Sequence, residues 1–452
     1  MTPTWTLDSL YSADGDQSWA ARDLRCLWHP FTQQAEWQPL VIVAGEGNYL
    51  LDEHGRRYLD GVSSLWANLH GHRHPLIDAA VAEQLGQLGH STLLGLSHKP
   101  AIVLGEQLVA LAPPGLSRVF YSDSGSTAVE VALKMAFQFH QHGGDSRRQR
   151  FLALRNAYHG DTLGSVSVGG IELFHQLFSP LLFHTERVEP ELAELETAFA
   201  THGHELAAFV VEPLIQGAAG MLLQPPGFLR RARQLCDRFG VLLIADEVAT
   251  GFGRTGTMFA CEQAQVTPDF LCVAKGLSGG YLPLAATLTT EAVYERFLGR
   301  RSEHKTFFHG HTFTGNPLGC AAALGSLEVF RRERVLDGLP AKLDALASVL
   351  DEQLSAHPNV REIRRCGLMV GIELGRDRER PFPAERAIGA KVCEAVRKLG
   401  VILRPLGDVV VLMPPLSITV PELRFLVEAT RAAMDEVVGA EARDVVQAER
   451  SE

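Results

Sequence analysis

The segment from residue 241 to residue 290 is VLLIADEVATGFGRTGTMFACEQAQVTPDFLCVAKGLSGGYLPLAATLTT, and it contains three short strand-like runs, VLLIA, FLCVA and PLAATLTT. Runs of this length, separated by helical patterns, are typical of strands covered on both faces of a parallel or mixed sheet. Similar runs precede them from about residue 118, namely VFYS, FLAL and AAFVVEP. Between these runs, residues 126–140 have apolar side chains at three- and four-residue spacing, which indicates a helix. The sequence therefore predicts an α/β fold with a large, doubly wound, mixed-sheet domain.

The two ends of the chain predict a second, smaller domain of the α+β type. After about residue 335 the pattern changes to a helix at 339–356, the strand GLMVGIEL, a helix at 384–399, the strands VILRPL and VVVLMP, and a closing helix. The strand-like pieces PLVIVAGEG and NYLLDEHGRRYLD near the start of the chain are expected to pack on that C-terminal part. We therefore expect a large domain of residues 66–334 and a small domain built from residues 1–65 and 335–452.

The composition favours a small-molecule partner. The formal net charge of −11 argues against nucleic acid, which would need clustered Lys and Arg. The sequence does not open with a basic and then apolar leader, and no run of about 18 apolar residues could span a membrane. We therefore expect a cytoplasmic protein with neither a nucleic-acid nor a membrane partner.

The cysteines and histidines do not predict a metal site. The seven cysteines include no C-x-x-C pair, which fits neither a disulfide framework nor a zinc ribbon, so we expect buried apolar side chains. Residues 70–74 (HGHRH) and the pair His309 and His311 could suggest a metal centre, but no cysteine or carboxylate nearby completes a known ligand spacing. We expect no metal.

One lysine stands out, because only seven of the 42 basic residues are lysines and six of these fit polar loops or helices. Lys275 ends the apolar run FLCVA and precedes the flexible segment GLSGGY. Its amine is therefore expected at the carboxyl edge of a buried strand, where open α/β sheets bind ligands. A desolvated amine there has a lowered pKa and can form a Schiff base with an aldehyde. A lysine that merely extends to the surface is the alternative interpretation.

The pair Asp246 and Glu247 ends the run VLLIA and is expected to face the same crevice. A carboxylate at this place can keep a pyridinium nitrogen protonated, so that the ring acts as an electron sink, and Asp246 is our choice for that role. Four apolar residues followed by Asp-Glu also describe a Walker B strand. The chain has no G-x-x-x-x-G-K-[ST] motif, which disfavours a P-loop ATPase.

Two further segments could hold an aromatic, phosphorylated cofactor. Residues 124–127 (SGST) follow the strand VFYS and open a helix, whose free N–H groups and positive end make a phosphate site. A simple helix cap is the alternative. Tyr158 follows the strand FLAL, and its ring could stack on a flat cofactor or else belong to the core.

A glycine pattern in the same region suggests a rival class of enzyme. GFGRTG, residues 251–256, matches the dinucleotide fingerprint G-x-G-x-x-G. However, it lies several residues after the strand, carries an arginine in the loop, and no helix-forming run begins directly behind it. A nicotinamide-dependent enzyme is therefore disfavoured.

Taken together, these residues resemble the class III aminotransferases of fold type I, and the resemblance spans nearly the whole chain. The motifs that carry it are ADEVATGFGRTG, PDFLCVAKGLSGGYLP and HTFTGNPLGCAAAL. The resemblance implies that the cofactor is pyridoxal 5′-phosphate. It also implies that Lys275 forms the Schiff base, Asp246 binds the pyridinium nitrogen and Tyr158 stacks on the ring.

The same resemblance implies how the phosphate is bound. Gly125 and Ser126 would be phosphate ligands, and Thr312 would reach the phosphate of the neighbouring subunit. Such sites are built at a dimer interface, so the resemblance implies a homodimer.

Within this class, the segments WHPFTQ (28–33) and SSLW (63–66) resemble the branch that acts in biotin synthesis and converts 8-amino-7-oxononanoate into 7,8-diaminononanoate. In that branch an arginine in the context of VILRPLGD binds the substrate carboxylate, which implies this role for Arg404. A planar guanidinium suits a carboxylate bidentately. The remaining substrate contacts implied by the resemblance are Phe31, Leu65 and Trp66 along the aliphatic chain, and Asp161 and Arg254 near the polar end of the amino donor.

The amino donor and two related activities stay open. The usual donor in this branch is S-adenosylmethionine, but Phe31 stands where many members have tyrosine and His311 where many have proline, and both changes resemble the members that use lysine. A general ω-aminotransferase acting on diamines or β-alanine would share every cofactor residue, and a pyridoxal-phosphate-dependent aminomutase would need no external donor. The segment WHPFTQ and Arg404 favour the biotin branch over the first of these.

Overall fold

A computed structural model describes residues 18–449 of the chain, and side-chain burial for residues 18–439. The strands are β1 (Ile42–Glu46), β2 (Tyr49–Asp52), β3 (Arg57–Asp60), β4 (Leu116–Ser122), β5 (Arg150–Leu154), β6 (Thr185–Val188), β7 (Leu206–Val211), β8 (Ile215–Gln216), β9 (Leu222–Leu223), β10 (Leu242–Asp246), β11 (Phe270–Val273), β12 (Ala285–Thr290), β13 (Val360–Cys366), β14 (Met369–Leu374), β15 (Val401–Ile402), β16 (Arg404–Leu406) and β17 (Val409–Leu412).

The helices of the described part are α1 (Trp19–Cys26), α2 (Ser63–Trp66), α3 (Pro75–Leu85), α4 (Lys99–Leu111), α5 (Gly125–His142), α6 (Leu163–Val168), α7 (Glu172–His175), α8 (Leu192–His202), α9 (Phe228–Phe239), α10 (Ala260–Ala264), α11 (Glu291–Glu295), α12 (Pro317–Arg332), α13 (Val335–Leu354), α14 (Ile388–Ala395) and α15 (Val420–Glu449). Short 3₁₀ turns occur at Gln176–Leu181, Arg301–Glu303, Ala384–Arg386 and Val396–Leu399.

A seven-stranded mixed sheet forms the centre of the large domain, with the strand order β4-β12-β11-β10-β7-β5-β6. Only β12 runs against its neighbours, so β4, β5, β7, β10 and β11 all point the same way. Every residue of β7, β10 and β11 is buried, as the continuous apolar runs predicted. Helix α5 packs across one face of this sheet. The predicted α/β fold with a doubly wound mixed sheet is confirmed.

The smaller part of the fold is built from both chain ends. Strand β15 pairs in parallel with β3, so a four-stranded sheet, β1-β2-β3-β15, contains N-terminal and C-terminal strands. A second antiparallel sheet has the order β13-β14-β17-β16. We keep 66–334 as the proposed extent of the large domain and 1–65 plus 335–452 as that of the small one; residues 1–17 and 450–452 lie outside the described part.

Three local predictions differ from the structure. The expected helix at 384–399 is shortened to α14 with a 3₁₀ turn on either side, because Ala387 has a left-handed backbone with a φ of 47°. The run VILRPL divides at Leu403, so that β15 and β16 belong to different sheets. Strand β13 (VREIRRC) was not predicted, because its charged side chains conceal the strand pattern.

The histidines and cysteines have ordinary structural surroundings. Nε2 of His70, His72 and His74 lies 3.0, 3.0 and 2.9 Å from Ser326, Asp60 and Glu333, respectively. All seven cysteines are free thiols, and five of them are buried as expected, whereas Cys26 is exposed and Cys366 half-buried. Across residues 18–449, no helix has the length and apolar character needed to cross a membrane.

Candidate active site

A cavity of about 470 Å³ opens at the carboxyl edge of the large sheet. Strands β4, β5, β7, β10 and β11 all end at this edge, where α/β sheets bind their ligands. The predicted site residues that line it are Trp66, Gly125, Ser126, Tyr158, Asp161, Asp246 and Lys275. Side chains from distant parts of the sequence are thus brought to one pocket.

Lys275 follows β11 by two residues and extends into the cavity. Its Nζ lies 5.1 Å from the centroid of the Trp66 ring, over the ring face. Burial lowers the pKa of Lys275, and the nearby carboxylates of Asp246 and Glu212 partly oppose that shift. A lowered pKa increases the fraction of uncharged amine, which is the form that attacks a carbonyl.

Asp246 and Glu247, adjacent in the sequence, have different roles. Asp246 Oδ2 lies 2.7 Å from His159 Nδ1, and its Oδ1 accepts a hydrogen bond from the Val248 amide at 3.0 Å. Glu247 instead accepts hydrogen bonds from the amides of Ala260 and Cys261 at the start of α10. Asp246 lines the cavity whereas Glu247 caps a helix, and this division explains why only the first of two buried carboxylates can meet a ligand.

His159 was not predicted. It is buried beside Tyr158 in the loop after β5, and its Nε2 has no hydrogen-bond partner within the described residues. A hydrogen bond from Nδ1–H fixes the orientation of the Asp246 carboxylate. In the sequence, the only signal for His159 was its position directly after Tyr158, the proposed stacking residue.

The N-terminus of α5 forms a narrow cradle. Ser126 Oγ accepts a hydrogen bond from the Thr162 amide at 2.9 Å, which ties the helix to the loop after β5. A Cβ at Gly125 would lie 2.5 Å from Val248 Cγ1, and a Cβ at Gly160 would lie 2.4 Å from Ser126. Only glycines allow this close approach, and the free N–H groups of the helix start remain available to an anion. The cradle therefore fits the phosphate of pyridoxal phosphate.

Tyr158 stands in the cavity wall next to this cradle. Its hydroxyl donates a hydrogen bond to Asp161 Oδ2 at 2.8 Å. Burial, together with the Asp161 carboxylate, raises the pKa of Tyr158. The Tyr158 ring contacts Phe174 edge-on, and Phe174 in turn contacts Phe31, which is exposed and lies outside the cavity lining. Leu65 is also partly exposed, adjacent to the cavity-lining Trp66.

Arg404 begins β16 and is half-buried. The positive charge of Arg404 lowers the pKa of Tyr158, although burial has a larger effect in the opposite direction. The guanidinium therefore lies within electrostatic reach of the cavity wall at Tyr158. No hydrogen bond or ion pair joins this guanidinium to any residue between 18 and 439. Arg404 lies outside the cavity lining. A cation within reach of the cavity wall, without a carboxylate partner among these described residues, is suited to bind a carboxylate from a ligand.

Arg254, the predicted contact of the amino donor, is buried among backbone carbonyl groups. Its side chain is 1% exposed and lies outside the cavity lining. The guanidinium donates hydrogen bonds to the carbonyl oxygens of Pro414 (2.6 Å), Asn68 (2.9 Å) and Trp66 (3.2 Å). Burial lowers the pKa of Arg254 to about 9. Arg254 therefore ties the backbone of the Trp66 segment to the C-terminal part, and its contact with the amino donor stays a prediction.

Thr312 was predicted as a site residue and Glu212 was not, yet only Glu212 lines the cavity. Thr312 lies exposed on the surface, outside the cavity lining of its own subunit. Glu212, which was not predicted, is buried directly after β7 and lines the cavity next to Asp246. The rule that singled out Asp246, a carboxylate at the carboxyl end of an apolar run, would have found Glu212 in AAFVVEP as well.

Comparisons with known proteins agree with this geometry. The model of the class III aminotransferase family matches residues 31–434. The adenosylmethionine-8-amino-7-oxononanoate aminotransferase of Nitratidesulfovibrio vulgaris is 57% identical over 437 residues, which cover 91% of this chain and 80% of that protein. The crystal structure of the enzyme with that name from Methanocaldococcus jannaschii has a TM-score of 0.90 and 44% identity, covering 92% of this chain and 98% of that chain.

A third solved structure indicates how broad the fold family is. An amine transaminase from an uncultivated Pseudomonas species, in its PLP-bound form, has a TM-score of 0.87 and 36% identity, covering 91% of this chain and 98% of that chain. Pyridoxal phosphate is the cofactor of this family. By its family match, its fold and the residues gathered at its sheet edge, this chain belongs to the class III aminotransferases.

Proposed function

We propose that this chain transfers an amino group to the ketone of 8-amino-7-oxononanoate and so forms 7,8-diaminononanoate, a step of biotin synthesis. The observation that carries the proposal is the Arg404 guanidinium, which has a charge within reach of the Tyr158 wall and no partner in the described part of the chain. The name of the 57% identical relative supports the same substrate.

Five residues would hold the cofactor. Lys275 offers its amine to the aldehyde, Asp246 its carboxylate to the ring nitrogen, Tyr158 its ring face, and Gly125 and Ser126 the phosphate cradle. When bound, pyridoxal phosphate supplies an electron-withdrawing ring that stabilises negative charge on the carbon bearing the amine.

The protein's own contribution is to place and move protons. Lys275 has a lowered pKa, so its amine can accept a proton from a neighbouring carbon and return it to another position as a general base and then a general acid. The Val248 amide and His159 fix the orientation of the two Asp246 oxygens. The carboxylate is thereby positioned to hold a proton on the ring nitrogen that would face it. Trp66 and Tyr158 would shield this region from water.

The substrate would lie between the cavity and Arg404. A guanidinium binds a carboxylate through two parallel hydrogen bonds, which fixes the end of the substrate remote from the ketone. Phe31, Leu65 and Trp66 would contact its aliphatic chain. A direct test measures amino transfer by the loaded enzyme to 8-amino-7-oxononanoate, with the simple keto acid pyruvate as a comparison. Equal kcat/KM for both acceptors would favour a general ω-aminotransferase, a possibility raised by the 36% identical amine transaminase.

We propose S-adenosylmethionine as the amino donor, because the 57% identical relative is named for it. Lysine is the alternative donor. Phe31 reaches the Tyr158 wall through Phe174 and has no hydroxyl to offer a donor. His311 Nε2 lies 3.7 Å from Asp123 Oδ1, just before α5. Turnover with S-adenosylmethionine and none with lysine would support the first donor, and the reverse pattern would overturn it.

We further propose a homodimer that completes the phosphate cradle with Thr312 of each partner. The segments 94–96 and 308–313 carry apolar side chains that are more than half exposed: Leu94, Leu96, Phe308 and Phe313. A hydrogen bond of 2.8 Å between His98 Nε2 and the Gly315 carbonyl holds the two segments together. Exposed apolar patches of this kind commonly mark protein interfaces. Free thiols at all seven cysteines are also in keeping with the cytoplasmic location that we propose.

The dimer can be tested by light scattering and by cofactor binding. The expected mass of the loaded protein is about twice 49.4 kDa. Thr312→Ala should weaken pyridoxal-phosphate binding, whereas Thr306→Ala, an exposed threonine on the same segment, should leave it unchanged. A monomer that binds the cofactor as tightly as the native protein would contradict this assembly.

A further inference from the structure

Glu212 is a buried carboxylate of the active site to which the proposed amino transfer gives no task. It directly follows β7, and β7 lies beside β10 with Val211 opposite Ala245. Glu212 is therefore the lateral neighbour of Asp246 at the carboxyl edge of the sheet. Its side chain is 6% exposed and lines the cavity.

The contacts of Glu212 join two separate pieces of the cavity wall. Oε1 accepts a hydrogen bond from the Tyr158 amide at 3.1 Å, and Oε2 accepts one from the Gly217 amide at 2.9 Å. Gly217 precedes the cavity-lining Ala218, and a Cβ at Gly217 would lie 3.4 Å from Cζ3 of Trp66. The carboxylate thus stands behind the two aromatic walls, Tyr158 on one side and Trp66 on the other.

We propose that Glu212 is a positioning residue: its buried carboxyl group ties the Tyr158 segment to the Gly217 turn and so keeps the two aromatic walls of the cavity in place. The inference rests on the proposed role of Tyr158 as the residue that stacks on the cofactor ring. Both oxygens accept from backbone N–H groups, and a carboxylate accepts at both positions whereas an amide does not.

The tie is expected to depend on pH. The titratable groups that face Glu212 are Asp246 from β10, His159 from the loop after β5 and Lys275 from the segment after β11. Burial raises the pKa of Glu212 to about 7, and Asp246 adds to that shift, while His159 and the two amides oppose it. Because the pKa is raised, the carboxyl is mostly protonated at pH 6 and mostly ionised at pH 8. When local opening exposes Glu212 to water, its pKa returns to the ordinary value near 4.5, so the closed arrangement binds the proton more tightly than the open one. The tie therefore weakens as the pH rises toward 7.

The experiment follows the two amides by hydrogen exchange in the cofactor-free full chain, where catalysis plays no part. Glu212→Gln keeps the size of the side chain but turns an NH2 group toward one of the two N–H donors. We expect about tenfold faster exchange in the peptides that contain Tyr158 or Gly217, the size expected for one lost bond to a charged acceptor. Glu247→Gln is the matched control, because Glu247 is equally buried and also accepts from two backbone amides, but at α10. Glu247→Gln should accelerate hydrogen exchange at residues 260–261 and leave exchange in the Tyr158 peptide unchanged.

Two further measurements test the role of Glu212 even if Glu212→Gln does not fold. In the native chain, protection of these amides, corrected for the intrinsic effect of pH, should decrease from pH 6 to pH 8. Glu212→Asp keeps the charge but shortens the side chain, and it should also accelerate exchange in these two peptides. Unchanged exchange in both variants, or protection that is flat with pH, would overturn the proposal. These readouts require no substrate, so a failure of the proposed amino transfer would leave them interpretable.

Discussion

Replacement of Arg254 by methionine separates two explanations of that residue. If the guanidinium contacts the amino donor, the change should raise the KM for the donor and leave stability as it is. If it ties the Trp66 segment to the Pro414 segment, stability should fall and both half-reactions should slow. The buried hydrogen bonds to three carbonyl oxygens favour the second explanation.

The expected loss of stability follows from those bonds. Three bonds from a charged donor contribute about 1.5 kcal/mol each, and the greater apolar burial of methionine offsets about 1–2 kcal/mol, which leaves a net loss of about 3 kcal/mol. For a chain of 452 residues the unfolding entropy is about 0.9 kcal/mol/K, so the melting temperature should fall by about 3 °C. Because the left-handed backbone of Trp66 is held by this contact, kcat should fall as well.

The assay combines thermal unfolding with separate measurement of the two half-reactions. Arg147→Met is the control, because Arg147 is 75% exposed and its ion pair with Asp145 contributes little to stability. A variant of Arg254 that melts like the native protein, with only the KM for the donor increased, would refute the structural role of this guanidinium.

Three other outcomes are expected. Gly125→Ala should weaken pyridoxal-phosphate binding at least tenfold in equilibrium dialysis, because its Cβ would overlap Val248, and a second change, Val248→Ala, should restore part of the affinity. Arg404→Lys should raise the KM for the keto acid about tenfold or more without changing cofactor affinity, because an ammonium cannot make the two parallel hydrogen bonds of a planar guanidinium. Equal KM values for the variant and the native protein would argue against a contact between Arg404 and the substrate carboxylate. Burial raises the pKa of Glu247 to about 7, above its ordinary value near 4.5, so the protonated form favours folding and this stabilisation is lost as the pH rises through 7. The melting temperature of Glu247→Gln relative to the native protein should therefore increase from pH 5 to pH 8, and a constant difference would contradict the raised pKa.

The central strands were predictable because they are buried on both faces. In β7 every residue is buried, so the apolar run LAAFVV is visible in the sequence without knowledge of its neighbours. The edge strand β6, with the sequence TERV, was missed because its two middle residues are charged and only its ends are buried. Edge strands need only part of their surface covered, and the apolar signal falls accordingly.

The site was predictable where a residue's role depends on its own strand. Lys275 and Asp246 each lie at the end of an apolar run, and both line the cavity. The buried contacts of Arg254 could not be predicted in this way, because its partners Trp66 and Pro414 are 188 and 160 residues distant in the chain. A glycine-rich segment with one arginine has the local pattern of a solvated turn, and only tertiary packing buries it.

The division of VILRPL between two sheets places the proposed substrate-binding arginine and the proposed catalytic residues on different sheets. Arg404 lies on the hairpin of β16 and β17, whereas Lys275 and Asp246 follow strands of the large sheet. Engineers who wish to accept longer or shorter keto acids can therefore vary the edge strand β16, whereas β17 leads to Pro414, which is joined through Arg254 to the cavity-lining Trp66. Evolution has the same freedom on β16, because changes along this edge strand leave Lys275 and Asp246 in place.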